Sequence, residues 1–410
     1  MGLAILTLIN LFNYLDRYVI SSLVESLKKS ELHLTDTQAG SLATAFLVVY
    51  MLTSPVFGTL GDRSSRPKLL AIGVGIWSIA TALGGFARNF VGLFAARATV
   101  GVGEAAYGTV APALLADYFP KERRGRVFAI FFAAIPIGSA AGYVLGGLID
   151  EQLGWRYAFF LAGAPGLLLA LACLPLADPP RGARDEDAGL GRKTRGTSWI
   201  QNYLHLLRNR SYALTVLGYA AYTFALGGLA FWAPTFLERV RGLTKSTATV
   251  QFGAIVVATG FVGTFAGGWL GDFFLRRTPQ AYLWVSGWAT LAAAPAALAA
   301  FVVPNKFVYM SAIVIAELLL FASTGPINSA IVNLVAPTER ATAVALSILT
   351  IHLLGDVPSP PIIGAISDAS SLAKAFLILP VAIAVSGGIW IAAAIYDSRH
   401  KAKAGLNAES

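Results

Sequence analysis

The sequence predicts an all-α membrane protein whose twelve transmembrane helices form two pseudo-symmetric six-helix bundles, with both chain termini in the cytoplasm. Three observations carry this prediction: an apolar composition, twelve long apolar segments and an internal repeat. Of the 410 residues, 56% are hydrophobic and 13% are charged, whereas soluble domains usually carry about 25% charged residues. This composition excludes a soluble enzyme, a secreted disulfide scaffold and a nucleic-acid-binding module.

The apolar segments are long enough to cross the hydrocarbon core of a bilayer, which takes about 20 helical residues. Only helices and closed barrels satisfy the backbone there, and continuous rather than alternating apolar runs favour helices. The first segment lacks a basic n-region and a cleavage site, so we expect a retained span rather than a signal peptide. The predicted spans lie near residues 1–25, 37–61, 69–88, 90–118, 125–149, 156–176, 211–237, 247–272, 280–303, 306–334, 340–366 and 373–397.

The spans divide into two groups of six around one polar stretch. We predict an N-terminal bundle over residues 1–176, a cytoplasmic linker over 177–210, a C-terminal bundle over 211–397 and a cytoplasmic tail over 398–410. The linker contains adjacent prolines and a mixed-charge run, which are typical of a solvated tether. Its residues 199–207 are compatible with a short amphipathic helix on the membrane surface.

The distribution of basic residues predicts the orientation. Twenty of the 31 Lys and Arg residues lie in connections on the side of the termini and nine on the opposite side, while Arg17 and Arg97 lie within spans. Because cytoplasmic loops are enriched in Lys and Arg, both termini are expected in the cytoplasm. Cys173 is the single cysteine, which excludes an intrachain disulfide and a cysteine-ligated metal cluster. No cofactor or metal is predicted.

Three motifs of the first half recur in the second half. The pattern Gly-x-Leu-Gly-Asp occurs at Gly58–Asp62 and again, 210 residues later, at Gly268–Asp272. The other two pairs are Pro120–Arg123 with Pro337–Arg340, and Gly146–Asp150 with Gly364–Asp368. Two parallel six-span bundles with a site between them near the membrane midplane are a transporter plan, which channels and polytopic enzymes rarely need.

Two motifs resemble those of the major facilitator superfamily. The loop Gly58–Arg66 resembles the signature loop after the second span, although Ser65 and Pro67 replace its usual residues, and Arg97–Gly103 matches the Arg-x-x-x-Gly-x-Gly motif. Three stretches are similar to the spinster family within that superfamily: Asn13–Arg17, Val100–Pro112 and His352–Pro360. The resemblance implies the major facilitator fold and a central cavity lined by the first, fourth, seventh and tenth spans.

Four ionisable residues lie within predicted spans of the first half, where each costs about 2.5–3.5 kcal/mol at a helix centre. Asp16 and Arg17 lie in the first span, and Arg97 and Glu104 in the fourth. Asp16 and Arg97 both lie roughly 10–14 Å below the outer surface, and Asp16 and Arg17 point about 100° apart. We predict an acidic and basic cluster across the two helices.

This cluster has two interpretations. A structural ion pair would fasten the helices together, whereas a proton switch would use the arginines as movable counter-charges. Intramembrane ionisable residues are functional candidates by default, so we favour proton coupling. In this hypothesis Asp16 carries the proton when Arg97 or Arg17 leaves it, and Glu104 binds cargo or couples the two events.

Further polar and aromatic residues are expected to line the substrate cavity. An Arg guanidinium binds phosphate or carboxylate, and aromatic rings would pack against an apolar tail. Core packing is the alternative for the tyrosines and for a lone His352, and capping of the helix break at Pro358 is the alternative for Asp356. The predicted cavity residues are Asn13, Tyr14, Tyr107, Tyr219, Tyr222, Thr223, Glu317, His352 and Asp356.

The charged loops after the second and eighth spans are predicted to form a cytoplasmic gate. The superfamily resemblance implies an ion-pair latch that stabilises one gate state and does not contact substrate, whereas a solvated charged loop is the alternative. The predicted gate residues are Asp62, Arg63, Arg66, Asp272 and Arg276.

The resemblance implies a proton-coupled secondary transporter that works by alternating access and moves an amphiphilic anion such as a lysolipid or a sphingoid phosphate. A small-organic-anion:proton symporter of the same superfamily is the main alternative. A lipid-modifying membrane enzyme is a distant one, because His33, His205 and His400 lie outside the spans. The expected partners are the bilayer, the anionic cargo and protons, without nucleic acid, for a monomer in the plasma membrane or a bacterial inner membrane.

Overall fold

The computed structural model describes residues 2–119, 121–180, 205–335 and 340–406, and all regular secondary structure within these ranges is helical. The helices are α1 Gly2–Lys29, α2 Asp36–Arg63, α3 Arg66–Gly84, α4 Phe90–Tyr118, α5 Lys121–Leu153, α6 Trp155–Cys173, α7 Arg210–Arg239, α8 Lys245–Leu275, α9 Ala281–Val302, α10 Lys306–Asn333, α11 Arg340–Ile351, α12 Ser359–Ala369, α13 Leu372–Ala375 and α14 Ile378–Leu406. Most of the predicted linker lies outside the described residues, including residues 199–204 of the expected surface helix, whereas residues 205–208 are helical.

Eleven helical segments of the described chain are long and apolar enough to cross a membrane. They correspond to the predicted spans with one exception, which is the fourth. That segment, α4, is helical over 29 residues but is not among the eleven, because Arg97, Glu104 and its small residues lower its hydropathy. The described chain is a multi-pass, all-helical membrane protein.

Local sequence explains where several helices begin. The Thr35 hydroxyl accepts a hydrogen bond from the backbone N–H of Gln38, whose side chain accepts one from the Thr35 backbone, which forms a capping box before α2. The Asn89 side chain caps α4 by accepting a hydrogen bond from the Gly92 N–H, and the Asn305 side chain caps α10 by accepting one from the Val308 N–H. Each cap satisfies an otherwise free backbone donor at a helix start.

The predicted eleventh span is interrupted. A π-helical turn over His352–Asp356 separates α11 from α12, and the Val357 N–H donates to the His352 carbonyl at 3.2 Å. Prolines at 358, 360 and 361 follow, and these residues cannot donate the backbone bonds of a regular helix. Single π-turns are frequent at functional sites, and this one presents the two ionisable residues of the segment.

The described chain forms two compact units. The first contains α1 to α6 together with Phe231–Ala254 and Pro360–Asp368, and the second contains Ile255–Ser359 with the first part of α7 and the helices after α12. In the first unit α1 packs against α5, and α4 packs against α2 and α3. In the second unit α9 packs against α10 and α14.

Glycines determine how closely α5 approaches α1, and how closely α4 approaches α2 and α3, in the first unit. A Cβ atom at Gly142 of α5 would lie 2.5 Å from the Leu15 carbonyl oxygen of α1. A Cβ atom at Gly101 of α4 would lie 2.5 Å from the Phe46 oxygen of α2, and one at Gly103 would lie 2.4 Å from the Gly73 oxygen of α3. Small residues therefore allow α5 to touch α1, and allow α4 to touch α2 and α3.

Candidate functional site

Two ion pairs connect α1 and α4 inside the first unit. The Arg17 guanidinium donates to the Glu104 carboxylate through Nη2 at 2.7 Å and through Nε at 3.2 Å. Arg97 Nη1 lies 3.6 Å from Asp16 Oδ1. Each helix contributes one acid and one base, so the two pairs cross between the helices. The first pair is a charge-assisted, hydrogen-bonded contact, and the second is a looser electrostatic one.

Asp16 is held on its other side by α3. The Thr81 hydroxyl donates to Asp16 Oδ2 at 2.6 Å, while Oδ1 has no hydrogen-bond donor among the described residues. Asp16 is 0% exposed and Arg97 is 2% exposed. The Asp16 carboxylate therefore has one satisfied oxygen and one oxygen available for a proton or a ligand.

Arg17 lies in a cage of aromatic rings. Its guanidinium carbon is 4.8 Å from the ring centroid of Tyr14, 4.8 Å from that of Phe46 and 5.4 Å from that of Tyr50. The Phe46 ring also lies 5.5 Å from the Arg97 guanidinium carbon. Cation–π attraction adds about 0.5–2 kcal/mol per favourable contact. Both guanidinium groups therefore contact the same ring, that of Phe46.

Several buried polar atoms around the two ion pairs have no hydrogen-bond partner in the described part of the chain. They are Arg97 Nε and Nη1, Asp16 Oδ1, Glu104 Oε1 and Asn13 Nδ2. Buried polar groups are nearly always satisfied in folded proteins, so unsatisfied donors and acceptors in one place mark a site with binding capacity. The set includes donors for an anion and acceptors for a proton.

The structure brings together five of the residues predicted in the first half: Asp16, Arg17, Arg97 and Glu104 as the ion pairs and Tyr14 as a ring beside Arg17. Asn13 is buried. Tyr107 lies elsewhere: its hydroxyl donates to the Leu6 carbonyl at 2.6 Å.

The sequence analysis did not identify Thr81, Phe46 or Tyr50. Phe46 and Tyr50 are four residues apart on one face of α2, but no motif marks them. Thr81 is one of two hydroxyl residues, with Ser78, in an otherwise apolar stretch of α3, and nothing in the sequence distinguishes it further.

The tyrosines predicted in the seventh span line a polar stripe in the second unit. The Tyr222 hydroxyl donates to the Leu320 carbonyl at 2.7 Å and lies 3.3 Å from the Thr324 hydroxyl. The Tyr219 hydroxyl accepts from the Asn328 amide at 3.4 Å. These contacts join α7 to α10 along one side.

The other predicted residues of the second unit lie beside the interrupted helix and within α10. The Thr223 hydroxyl donates to the Ile351 carbonyl at 3.1 Å, and His352 Nδ1 lies 3.0 Å from the Asp356 carboxylate. Both members of that pair are partly exposed. Glu317 of α10 is 5% exposed and has no hydrogen bond or ion pair within the described ranges.

Arg66 is the buried centre of the predicted gate loop. Its Nε donates to Asp178 at 2.8 Å, its Nη1 contacts the Asp117 carboxylate, and its Nη2 donates to the Pro179 carbonyl. Arg66 is 2% exposed, so the loop is anchored to the ends of α4 and α6.

The remaining gate residues are less enclosed. Arg63, Asp272 and Arg276 are exposed, and Asp272 accepts a hydrogen bond from the Tyr282 hydroxyl at 2.8 Å. The side chain of Asp62 lies outside the described set.

A cluster of charged residues, here called the turn cluster, lies at the end of the first unit that contains the α1–α2 connection. It consists of Glu25, Asp36, Asp150, Arg239 and Lys245. Arg239 donates to Glu25 at 2.8 Å and to Asp36 at 2.5 Å, and Lys245 pairs with Asp150. The cluster fastens the adjoining ends of α7 and α8 to α1, α2 and α5.

Comparison with known proteins agrees with this architecture. The family model of the Major Facilitator Superfamily matches residues 6–355. A crystal structure of a bacterial homolog of the human lysosomal transporter Spinster, in an inward-facing and unoccupied conformation, superposes with a TM-score of 0.87 at 26% identity and covers 96% of both chains. Fold and family together define the class: the chain is a major facilitator superfamily transporter and not an enzyme.

Two relatives show which family of the superfamily the chain belongs to. Protein spinster homolog 3 of Danio rerio is 37% identical over 392 residues, which cover 90% of this chain and 77% of the relative. Sphingosine-1-phosphate transporter SPNS2 of Mus musculus is 33% identical over 430 residues, which cover 98% and 78%. The chain belongs to the spinster family.

The Arg66 contacts predict that this residue stabilises the loop between α2 and α3. Arg66→Gln would remove the positive charge that Arg66 supplies to Asp117 and Asp178, and breaking a buried ion pair costs about 3–5 kcal/mol. We therefore expect a clear fall in melting temperature in detergent micelles. Arg63→Gln, three residues earlier and exposed, should change stability by less than about 0.5 kcal/mol. Equal melting of both variants would mean that the loop is a solvated charged segment.

Proposed function

We propose that the chain is a proton-coupled secondary transporter that moves an amphiphilic anion, such as a lysolipid or a sphingoid phosphate, by alternating access. Membership of the spinster family supports transport of a lipid-related substrate. The observation that carries proton coupling is the loose pair of Asp16 and Arg97, in which a buried carboxylate oxygen and two guanidinium nitrogens lack hydrogen bonds.

The proposed coupling is a competition for Arg97. When Asp16 is ionised, Arg97 is its counter-charge and the two charges balance inside the membrane. When Asp16 takes a proton, Arg97 loses that partner, and its free Nε and Nη1 donors suit a phosphate or carboxylate. Cargo binding and proton binding then favour each other, since linkage between two ligands is reciprocal.

In this proposal the Arg17–Glu104 ion pair stays intact while the Asp16–Arg97 ion pair opens and closes. The hydrogen-bonded contact of Arg17 with Glu104 is shorter than the Arg97–Asp16 contact, at 2.7 Å against 3.6 Å, so Glu104 is the more firmly paired acid. The Arg17 side chain is 22% exposed, which leaves it able to reach an anionic head group. The rings of Tyr14 and Tyr50 beside it offer apolar surface to the first part of a lipid tail.

We infer that α4 is the twelfth span. Its Arg97 and Glu104 side chains are buried against α1, so they need not contact lipid even though they lower the helix's hydropathy. With twelve spans, the excess of basic residues on one side of the membrane would place both termini in the cytoplasm. We propose a monomer in the plasma membrane, or in the inner membrane if the source is bacterial, with rocking bundles over residues 1–176 and 211–397.

The turn cluster is the proposed outer latch of the alternating-access cycle. Arg239 and Lys245 hold the adjoining ends of α7 and α8 against α1, α2 and α5, and Asp368 near the end of α12 accepts a hydrogen bond from the Thr37 N–H at 2.8 Å. Opening of this end would require these contacts to break together. The Arg66 cluster at the opposite end is the corresponding cytoplasmic anchor.

The cargo class is tested by uptake into proteoliposomes under an imposed pH step. We expect saturable, pH-driven uptake of lysophospholipids and sphingoid phosphates, and little uptake of small organic acids, because the site pairs guanidinium groups with aromatic surface. Uptake of the small acids without that of the lipids would favour the small-anion symporter. Flux that does not saturate would indicate a pore.

Asp16→Asn tests proton coupling. Asparagine keeps the size of the side chain and can still accept the Thr81 hydrogen bond, but it cannot exchange a proton. One proton moving down about 100 mV supplies about 2.3 kcal/mol, enough for a roughly fifty-fold gradient. We expect the variant to lose this accumulation and to retain exchange of cargo without a pH step.

The matched control is Glu151→Gln, which neutralises an exposed acid at the end of α5 and should accumulate cargo like the parent chain. Full pH-driven uptake by Asp16→Asn would remove Asp16 from the proton-carrying role.

A further inference from the structure

An open cleft lies at one end of the second unit, where α7 begins, α10 ends and the membrane-crossing part of α14 ends. The cleft encloses about 360 Å³, which is within the usual range of about 300–1,000 Å³ for small-molecule sites. Its lining includes Arg208, Arg210, Ser211, Leu334, Tyr396 and Asp397. None of these residues belongs to the crossed ion pairs or to the predicted gate.

The two arginines of the cleft are not paired with an acid in the described part of the chain. Arg208 and Arg210 are exposed, and neither makes a hydrogen bond or an ion pair with a described residue. Asp397 is 7% exposed and is held within its own unit, since it accepts hydrogen bonds from the Gln280 amide at 2.9 Å and from the Ser211 hydroxyl at 3.3 Å. The two guanidinium groups are therefore available to an anion from outside the chain.

At the end of α4, the first unit has an internal ion pair where the second unit has the cleft. The Asp117 carboxylate binds Arg66 there. The proline–glutamate–arginine repeat that follows α4 and α10 places Leu334 at the position of Asp117. The glycine-loop repeat places Arg276 at the position of Arg66, and Arg276 is exposed. Because leucine offers no charge to a guanidinium, the second unit does not close this place with its own arginine.

The cleft lies at the level where membrane-crossing segments end. Arg210 is the first residue of one such segment, and Leu334 follows another, which ends at Ile331. Apolar surface is present beside the arginines, because Leu207 is 47% exposed and Tyr396 is half-buried. Tyrosine is enriched at membrane–water boundaries, and basic pockets between transmembrane helices bind anionic lipid head groups. The position therefore favours a lipid over a soluble phosphate.

We propose that this cleft binds the phosphate group of an anionic membrane phospholipid through Arg208 and Arg210. Planar guanidinium groups donate pairs of charge-assisted hydrogen bonds to phosphate oxygens. The head group would join the start of α7 to the ends of α10 and of the membrane-crossing part of α14, so the bound lipid would stabilise the second unit. The inference goes beyond the proposed function, because it requires neither proton coupling nor a particular cargo.

The test is equilibrium binding of two phospholipids with the same acyl chains to the full chain, purified in a neutral detergent. Phosphatidylglycerol carries a net negative charge, whereas phosphatidylcholine carries the same phosphodiester with a balancing positive charge. We expect the parent chain to bind phosphatidylglycerol at least about tenfold more tightly, which is the range of one charged hydrogen bond. The double variant Arg208→Gln, Arg210→Gln should reduce this preference to within about twofold, because both cations are removed.

Three further measurements serve as controls. Each single variant should lose about threefold, which is half of the tenfold preference expressed as free energy, so the test does not depend on the folding of the double variant. Arg88→Gln removes the same charge from an exposed site of the first unit and should retain the full preference. Phosphatidylglycerol should also raise the melting temperature of the parent chain but not that of the double variant.

Glycerol 3-phosphate distinguishes a lipid from a soluble phosphate, since it carries a phosphate without acyl chains. We expect it to compete poorly with phosphatidylglycerol, and effective competition at equal concentration would overturn the lipid assignment. Three other outcomes would also overturn the proposal: equal binding of both lipids to the parent chain, a preference that persists in the double variant, or the same loss of preference in Arg88→Gln.

Discussion

The crossed ion pairs between α1 and α4 are the constraint on which the rest of the structure depends. Four ionisable side chains inside a membrane protein are tolerated only when their charges cancel, and here each acid meets a base from the other helix. Glycines of α5 allow close approach to α1, and glycines of α4 allow close approach to α2 and α3. The family motif Arg-x-x-x-Gly-x-Gly thus combines one charged residue with the small residues that let its helix approach α2 and α3.

The two pairs are unequal, and this inequality gives the site its proposed function. Arg17 and Glu104 are hydrogen-bonded and surrounded by aromatic rings, whereas Arg97 and Asp16 leave donors and an acceptor unsatisfied. The first pair is held by two hydrogen bonds to Glu104 Oε2 and leaves Glu104 Oε1 unsatisfied, and we propose that it acts as structure. The second pair has no hydrogen bond between its members, and we propose that it exchanges its partner for a proton or an anion.

Most of the apolar helices could be predicted from the sequence, because the thickness of the membrane sets the length of an apolar segment that crosses it. The excess of Lys and Arg on one side predicts only the orientation of the chain. The prolines after Asp356 correctly indicated an interrupted helix. Hydropathy leaves α4 out of the apolar set, since a hydropathy average takes no account of the burial of Arg97 and Glu104 against other helices. The sequence also did not predict which base pairs with which acid. Asp16 and Arg17 point in different directions on α1, but tertiary packing sets the rotation of α4 about its axis and the position of Thr81. Tyr107 illustrates the same limit, because its hydroxyl bonds the α1 backbone at Leu6.

The most direct test of the central claim is the number of protons taken up when cargo binds. The purified chain would be mixed with a lysophospholipid in weakly buffered detergent solution containing a pH indicator, and Asp16→Asn would be treated identically. The account predicts net proton uptake by the parent chain on cargo binding, because occupation of Arg97 by an anion favours protonation of Asp16, and none by the variant. Cargo binding without proton uptake, or equal uptake by Asp16→Asn, would contradict it.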